Sequence, residues 1–167
     1  MKLRSSIPAI AIVICILVQN LASSAQTTCV PKEPGTKDKC PVCGMFVQKY
    51  ARWWSEILFA DGTCRFFDGP KDMFKFYLRP EKYGGSNKKK ICKIYVRDYY
   101  SLDWLDAKDP FYVIESDIDG PMGRELVPLK SIEDAQEFKD DHHGTKVLRF
   151  KDVGWELVLR LSLGENM

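Results

Sequence analysis

Past its first two dozen residues this chain has no long apolar run, and it lacks most of the side-chain sets that support hydrolytic or phosphoryl-transfer chemistry. No paired carboxylates, Gly-rich phosphate loop or Ser/His/Asp arrangement is evident, and the two histidines are neighbours, His142 and His143. Charge of one sign is also missing. Of 25 basic residues, Lys2 and Arg4 lie in residues 1–25, a segment with no acidic residue, so the remainder carries 23 basic against 23 acidic side chains. Lys88-Lys89-Lys90 is the one basic run, and it reads as a solvated loop. A balanced charge without a basic face excludes nucleic acid as the expected partner and leaves little electrostatic steering of a charged substrate.

The N-terminus is laid out for export. Lys2 and Arg4 precede an apolar run of about 12 residues, 7–18, and Ala22-Ser23-Ser24-Ala25 supplies small residues for cleavage. The run is short for a membrane span, so residues 1–25 read as a secretory signal peptide cut after Ala25, with an uncleaved anchor as the alternative. Cys15 follows Ile14 and Cys29 follows Gln26-Thr27-Thr28, and neither has the setting of a lipid-attachment cysteine. The exported protein is therefore expected to be soluble or weakly held at a membrane. Residues 26–39, with Pro31, Pro34 and Gly35, read as a flexible tether.

With Cys15 removed, five cysteines remain: Cys29, Cys40, Cys43, Cys64 and Cys92. An odd number in an oxidising compartment calls for an explanation, and metal binding is one. Three of the chain's reactive side chains crowd into Cys40-Pro41-Val42-Cys43-Gly44-Met45. Thiolate and thioether are soft donors of the kind that select Cu(I), and a thioether needs no deprotonation, whereas a thiol does. An extended backbone here would place Cys43 and Met45 on one face. Cys40 is a candidate fourth donor or a redox partner of Cys43, and a Cys40–Cys43 disulfide beside a core methionine is the alternative to a metal site. Met122 lies between Pro121 and Gly123, an unusual place for a core methionine.

Hydrophobic periodicity gives an α+β pattern. A strand over 51–60, the turn Asp61-Gly62 and a strand over 63–67 form a hairpin. Asp68-Gly69-Pro70 then opens a helix with Pro70 at its first position and Met73, Phe76 and Tyr77 on its buried face. Gly84-Gly85-Ser86 ends that unit's helical region, and a third strand covers 91–99. The order recurs as a strand over 111–115, a turn-rich stretch 116–123, a strand over 126–129, a helix opened by Ser131-Ile132-Glu133-Asp134, and a strand over 146–150. These are two β-β-α-β units, approximately 51–100 and 110–151, followed by an amphipathic segment within 152–167. Cys64 and Cys92 are expected on adjacent strands, as a structural disulfide or as two buried thiols. His142 and His143 fall at a helix terminus, where the dipole favours them, with metal binding as the lesser reading.

The run Cys40-Pro41-Val42-Cys43-Gly44-Met45-Phe46-Val47 resembles the signature of the NosL family of nitrous oxide reductase accessory proteins. So do Asp61-Gly62 with Phe66-Phe67-Asp68-Gly69-Pro70-Lys71-Asp72-Met73-Phe74, and Tyr95-Val96-Arg97-Asp98-Tyr99, Gly120-Pro121-Met122-Gly123 and Glu133-Asp134-Ala135, in order. The resemblance covers nearly all of 40–151. It implies a domain over 40–167 of two β-β-α-β repeats, similar to one also found in organomercurial lyases. It implies one Cu(I) held by Cys43, Met45 and Met122 outside the cytoplasm, in the periplasm, for delivery to nitrous oxide reductase with the membrane transporter of that assembly system. Many relatives carry a lipid-attachment cysteine that this chain lacks, and Cys64 and Cys92 fall outside the family pattern.

Two other functions compete with a non-enzymatic Cu(I) carrier. A thiol–disulfide oxidoreductase would use Cys40 and Cys43, but such pairs open a helix after a buried strand, and here the motif follows a Pro/Lys-rich lead-in. A structural zinc module would use Cys40, Cys43, Cys64 and Cys92, without the usual second Cys-x-x-Cys.

Overall fold

The computed structural model describes residues 29–164; the signal segment and its cleavage site lie outside them. Two antiparallel sheets carry the fold. The first contains β1 (Ser55–Phe59), β2 (Cys64–Phe67), β3 (Ile91–Arg97) and β4 (Trp104–Asp106), in the order β2-β1-β3-β4. The second contains β5 (Phe111–Gly120), β6 (Gly123–Leu129) and β7 (Lys146–Leu148), in the order β6-β5-β7. In each unit the first strand is central, its hairpin partner on one side and the strand after the helix on the other. This is the expected α+β duplication of β-β-α-β.

Helix α1 (Pro70–Leu78) begins with Gly69 in an extended N-cap conformation and Pro70 in the first turn, where the missing N–H of proline costs nothing. Helix α2 (Ile132–Asp141) is capped by Ser131, whose side chain accepts a hydrogen bond of 3.0 Å from the Asp134 amide. Helix α3 (Trp155–Leu163) closes the chain, with Val158 and Leu161 turned inward. Helix α1 packs on β1, β2, β6 and α3, so the first unit's helix spans both units. The main core runs through it: Phe67, Met73, Phe74 and Ile94 from the first unit meet Tyr112, Ile114, Leu126 and Phe150 from the second. A smaller core joins Trp53, Val113, Val127, Leu129, Ala135 and Phe138 beneath α2. Trp53, Trp54, Met73 and Phe76 are buried as expected, whereas Tyr77 sits at the rim with its ring edge on Phe150.

Four local expectations change. The strand expected from residue 51 begins at Ser55, because Val47–Trp53 forms a 3-10 helix that the Trp54 indole N–H closes onto the Val47 carbonyl at 2.8 Å. β5 continues to Gly120 instead of stopping at 115. Glu115 takes a left-handed φ of 55°, which bulges the strand, and pairing resumes at Asp119↔Arg124. Pro121 and Met122 therefore form a tight turn between paired Gly120 and Gly123. Residues 29–39 are strapped to the first sheet: Cys29 is bonded to Cys92, Tyr95 Oη donates to the Cys29 carbonyl, and the Lys32 amide donates to Glu56.

The fourth change is the disulfide. The expected Cys64–Cys92 pairing is wrong because β1 lies between β2 and β3. Two strand spacings, roughly 9–10 Å, exceed what a disulfide spans. Cys92 pairs instead with Cys29, at a Cα–Cα distance of 6.2 Å, and Cys64 is a half-buried free thiol.

Candidate metal centre

The thiol motif is not extended. The Cys40 amide donates to the Met45 carbonyl and the Gly44 amide to the Cys40 carbonyl, both at 2.9 Å, and Lys39 bridges to Phe46. Gly44 has φ +79°, a conformation a side chain at that position would strain. The result is a closed loop, so strand alternation does not set the directions of Cys43 and Met45. The loop instead folds Cys40 back toward Cys43, and both are free thiols. Cys40 is 1% exposed, while Cys43 is half-buried.

The loop lodges against the start of α1. Cys43 Sγ lies 3.2 and 3.3 Å from the two carboxylate oxygens of Asp68. Cys40 Sγ lies 3.5 Å from Asp72 Oδ2, and Asp72 Oδ1 also takes the Lys75 ammonium at 3.0 Å. One ligand atom from each of Cys40, Cys43, Asp68 and Asp72 fits within 4.8 Å of all the others. Both aspartates are buried. Asp68 stands just before the extended N-cap Gly69 and Asp72 in the first turn, so the two carboxylates flank the helix start and reach one loop. The Cys40 thiol is pushed far up from its usual range by its contact with Cys43, by burial, and by Asp68 and Asp72. These groups favour the protonated Cys40 thiol, and a metal ion bound there would have to displace that proton.

The methionines stand differently. Met45 is half-buried, and its carbonyl closes the thiol loop. Met122 is 45% exposed in the β5–β6 turn. Its carbonyl accepts from Lys71 Nζ at 2.8 Å, and the Arg124 carbonyl accepts from the same ammonium at 2.6 Å. Lys71 is flanked in sequence by the two site aspartates, so the turn bearing Met122 is tied to the helix end that faces the thiols. The structure brings Cys40 and Cys43 together directly, and Lys71 ties the backbone of the turn that bears Met122 to the helix start.

Cys64 faces another environment. Burial and the Glu56 carboxylate raise its thiol, and Glu56 is itself raised by burial. His142 caps α2 as expected, with Nδ1 3.0 Å from Asp117 Oδ1 and its ring on Phe138. With Cys92 in a disulfide, the zinc module of four cysteines has no fourth thiolate.

Asp68, Asp72, Lys71 and Glu125 were not read as site residues from the sequence. The first three stand in the Asp-Gly-Pro-Lys-Asp segment that the helix start and the family resemblance both drew on. The two aspartates flanking the helix start were the available signal. Glu125 left none, because its importance depends on a contact across 54 residues.

Two β-β-α-β units sharing one core, with a thiol loop against the first helix, define a small α+β protein with a sulfur–carboxylate centre. The NosL family model matches residues 31–158. The copper-binding lipoprotein NosL of Stutzerimonas stutzeri is 27% identical over 129 residues, 72% of this chain and 64% of that protein. The chain thus spans less than two thirds of that relative's length. The crystal structure of the copper chaperone NosL from Shewanella denitrificans is similar in fold, with a TM-score of 0.65 at 21% identity, covering 76% of this chain and 97% of that one. The chain belongs to the NosL family.

Proposed function

We propose that this protein is a Cu(I) carrier. It holds one ion through Cys43, Met45 and Met122, with Cys40 as a further thiol donor, and it passes the ion on without catalysing a reaction. The observation that carries the reading is the pair of free thiols in one closed loop, one buried and one reachable, in a family whose curated relative is named for copper binding. Soft sulfur donors suit Cu(I). A partly open centre lets a recipient's donor enter before the first ligands leave. The protein acts in the exported, periplasmic space, free, weakly associated with a membrane or anchored there by an uncleaved N-terminus, and delivers copper for the assembly of nitrous oxide reductase together with that system's membrane transporter.

The oxidoreductase alternative is disfavoured by the loop itself. Cys43 is followed by Gly44 in a left-handed turn and not by an α-helix N-terminus, and the Cys40 thiol is raised where a redox nucleophile needs it lowered. Zinc retains a different route, through Cys40, Cys43, Asp68 and Asp72.

The test is an anaerobic titration with Cu(I), and separately with Zn(II), against a chromophoric chelator, with the Cys29–Cys92 bond intact. One tightly held Cu(I) and weak zinc binding are expected. Preference for zinc would replace the reading with a sulfur–carboxylate zinc centre, and binding of neither would return attention to Cys40/Cys43 redox chemistry.

A further inference from the structure

Lys71 is a full-length cation placed where cations are rarely found. Its side chain is 1% exposed, and burial pushes its ammonium below the usual lysine range. Among the described residues no carboxylate takes its Nζ directly, although Glu125, Asp72 and Asp119 lie near enough to favour its charge. Both of its close partners are carbonyls of one hairpin, those of Met122 and Arg124. Its own backbone amide donates to Glu125 Oε1 at 2.5 Å, and the same oxygen accepts from the Leu126 amide at 2.9 Å. Two glycines close over that carboxyl group. A Cβ on Gly69 would collide with Glu125 Oε2, and a Cβ on Gly120 would stand 3.0–3.1 Å from the Glu125 side chain. Helix α1 and the β5–β6 hairpin are therefore locked from both sides: Lys71 reaches out from the helix to the hairpin, and Glu125 reaches back from the hairpin to the helix.

The helix end so locked is the one that carries Asp68 and Asp72 against the two thiols. The hairpin so locked is the one that carries Met122. A donor on an exposed two-residue turn would otherwise have to be ordered at the moment of binding, at a cost in affinity. We infer that Lys71, braced by Glu125, is the positioning residue that sets Met122 against the thiol loop, so that the third sulfur donor is placed by a buried clamp in the other unit's helix. The inference rests on the Cu(I) reading above. It adds a residue that touches no metal donor atom yet determines how much Met122 contributes.

A double-mutant cycle tests it, with Cu(I) as the probe and the intact disulfide-bonded protein as the sample. In the wild type, Met122→Ser is expected to weaken Cu(I) binding about tenfold. In a Lys71→Leu background, which removes the ammonium without adding a sulfur donor, the same change is expected to cost less than about twofold, with Lys71→Leu alone producing most of the loss. Cys43→Ser should remain as damaging in that background as in the wild type, which a general loosening of the fold would not preserve. X-ray absorption should report one sulfur fewer around copper in Lys71→Leu.

If Lys71→Leu does not fold, Lys71→Gln serves. It is too short to hold both carbonyls, and Met122→Ser should then cost about threefold, between the two extremes. A full tenfold cost of Met122→Ser in the Lys71 variant overturns the clamp and leaves the Cu(I) reading standing. No cost of Met122→Ser in the wild type overturns the Met122 assignment, and the clamp with it.

Discussion

Cys43 Sγ sits almost equidistant from both oxygens of Asp68, at 3.2 and 3.3 Å, so the reachable thiol of the centre faces a buried carboxylate before any metal arrives. The two groups would serve different ions. Sulfur satisfies Cu(I), whereas a carboxylate oxygen is a normal zinc ligand and a poor partner for a soft ion. Asp68→Asn should therefore weaken Zn(II) binding by about tenfold while leaving Cu(I) affinity within a few-fold of wild type. Parallel chelator competitions read both. Equal losses for the two ions would mean that Asp68 is needed for the loop's shape and not for ion choice.

The same centre predicts a ladder of losses. Cys43→Ser removes the half-buried thiolate donor and should abolish tight Cu(I) binding. Met45→Ser and Met122→Ser each remove a neutral thioether and should cost about tenfold, roughly 1.4 kcal/mol. Cys40→Ser should cost less than Cys43→Ser, since Cys40 is almost fully buried and its proton is strongly held. A Cys40 variant weaker than the Cys43 variant would reverse the roles of the two thiols.

What could be read from the sequence was what short-range chemistry decides. Gly69 and Pro70 mark a helix start on local grounds, and α1 begins there. Ser131 marks another and caps it. The two β-β-α-β units follow from turn residues and apolar spacing. The failed disulfide has its origin in pairing at long range. Nothing near Cys92 says that β1 separates it from Cys64, or that a cysteine 63 residues earlier lies over β3. The left-handed Gly44 turned a motif read as extended into a closed loop. Lys71 and Glu125 looked like ordinary charged residues until the hairpin buried them both. The two thiols that the loop brings together were legible, and the carboxylates beside them were not.

The Cys29–Cys92 bond closes a loop across a sequence separation of 63 and straps residues 29–39 over the first sheet. In the chain-entropy picture a loop of that size stabilises the fold by about 4 kcal/mol. Cys29→Ser with Cys92→Ser should lower the urea midpoint accordingly, with a steeper slope, because the unfolded chain without the cross-link exposes more surface. Cu(I) affinity should fall only modestly, because the Lys39–Phe46 bridge and the amide–carbonyl bonds within the thiol loop remain. A variant as stable as wild type would mean that the strap's hydrogen bonds, such as Lys32 to Glu56, hold it without the covalent bond.

Glu125 predicts how the metal-free protein responds to pH. Burial is the main cause that raises its carboxyl group, from an ordinary value of 4.5 to about 8; Lys71 and the Lys71 and Leu126 amides pull it down, and Asp72 raises it. Between these two values the folded protein keeps a proton on Glu125 that the unfolded chain releases. The folded state thus binds more protons, and stability falls as pH rises. The full contribution is present below 4.5, declines as pH passes through about 8, and is gone above it. The total change is on the order of a few kcal/mol. Glu56, also raised by burial, works in the same direction from under the strap. Urea unfolding at a series of pH values should show stability decreasing from mildly acidic to mildly alkaline solution. Glu125→Gln should remove the larger part of that slope and leave the share of Glu56. A wild-type protein equally stable across the range would mean that Glu125 is ionised throughout, held by the Lys71 ammonium and the two amides that point at it.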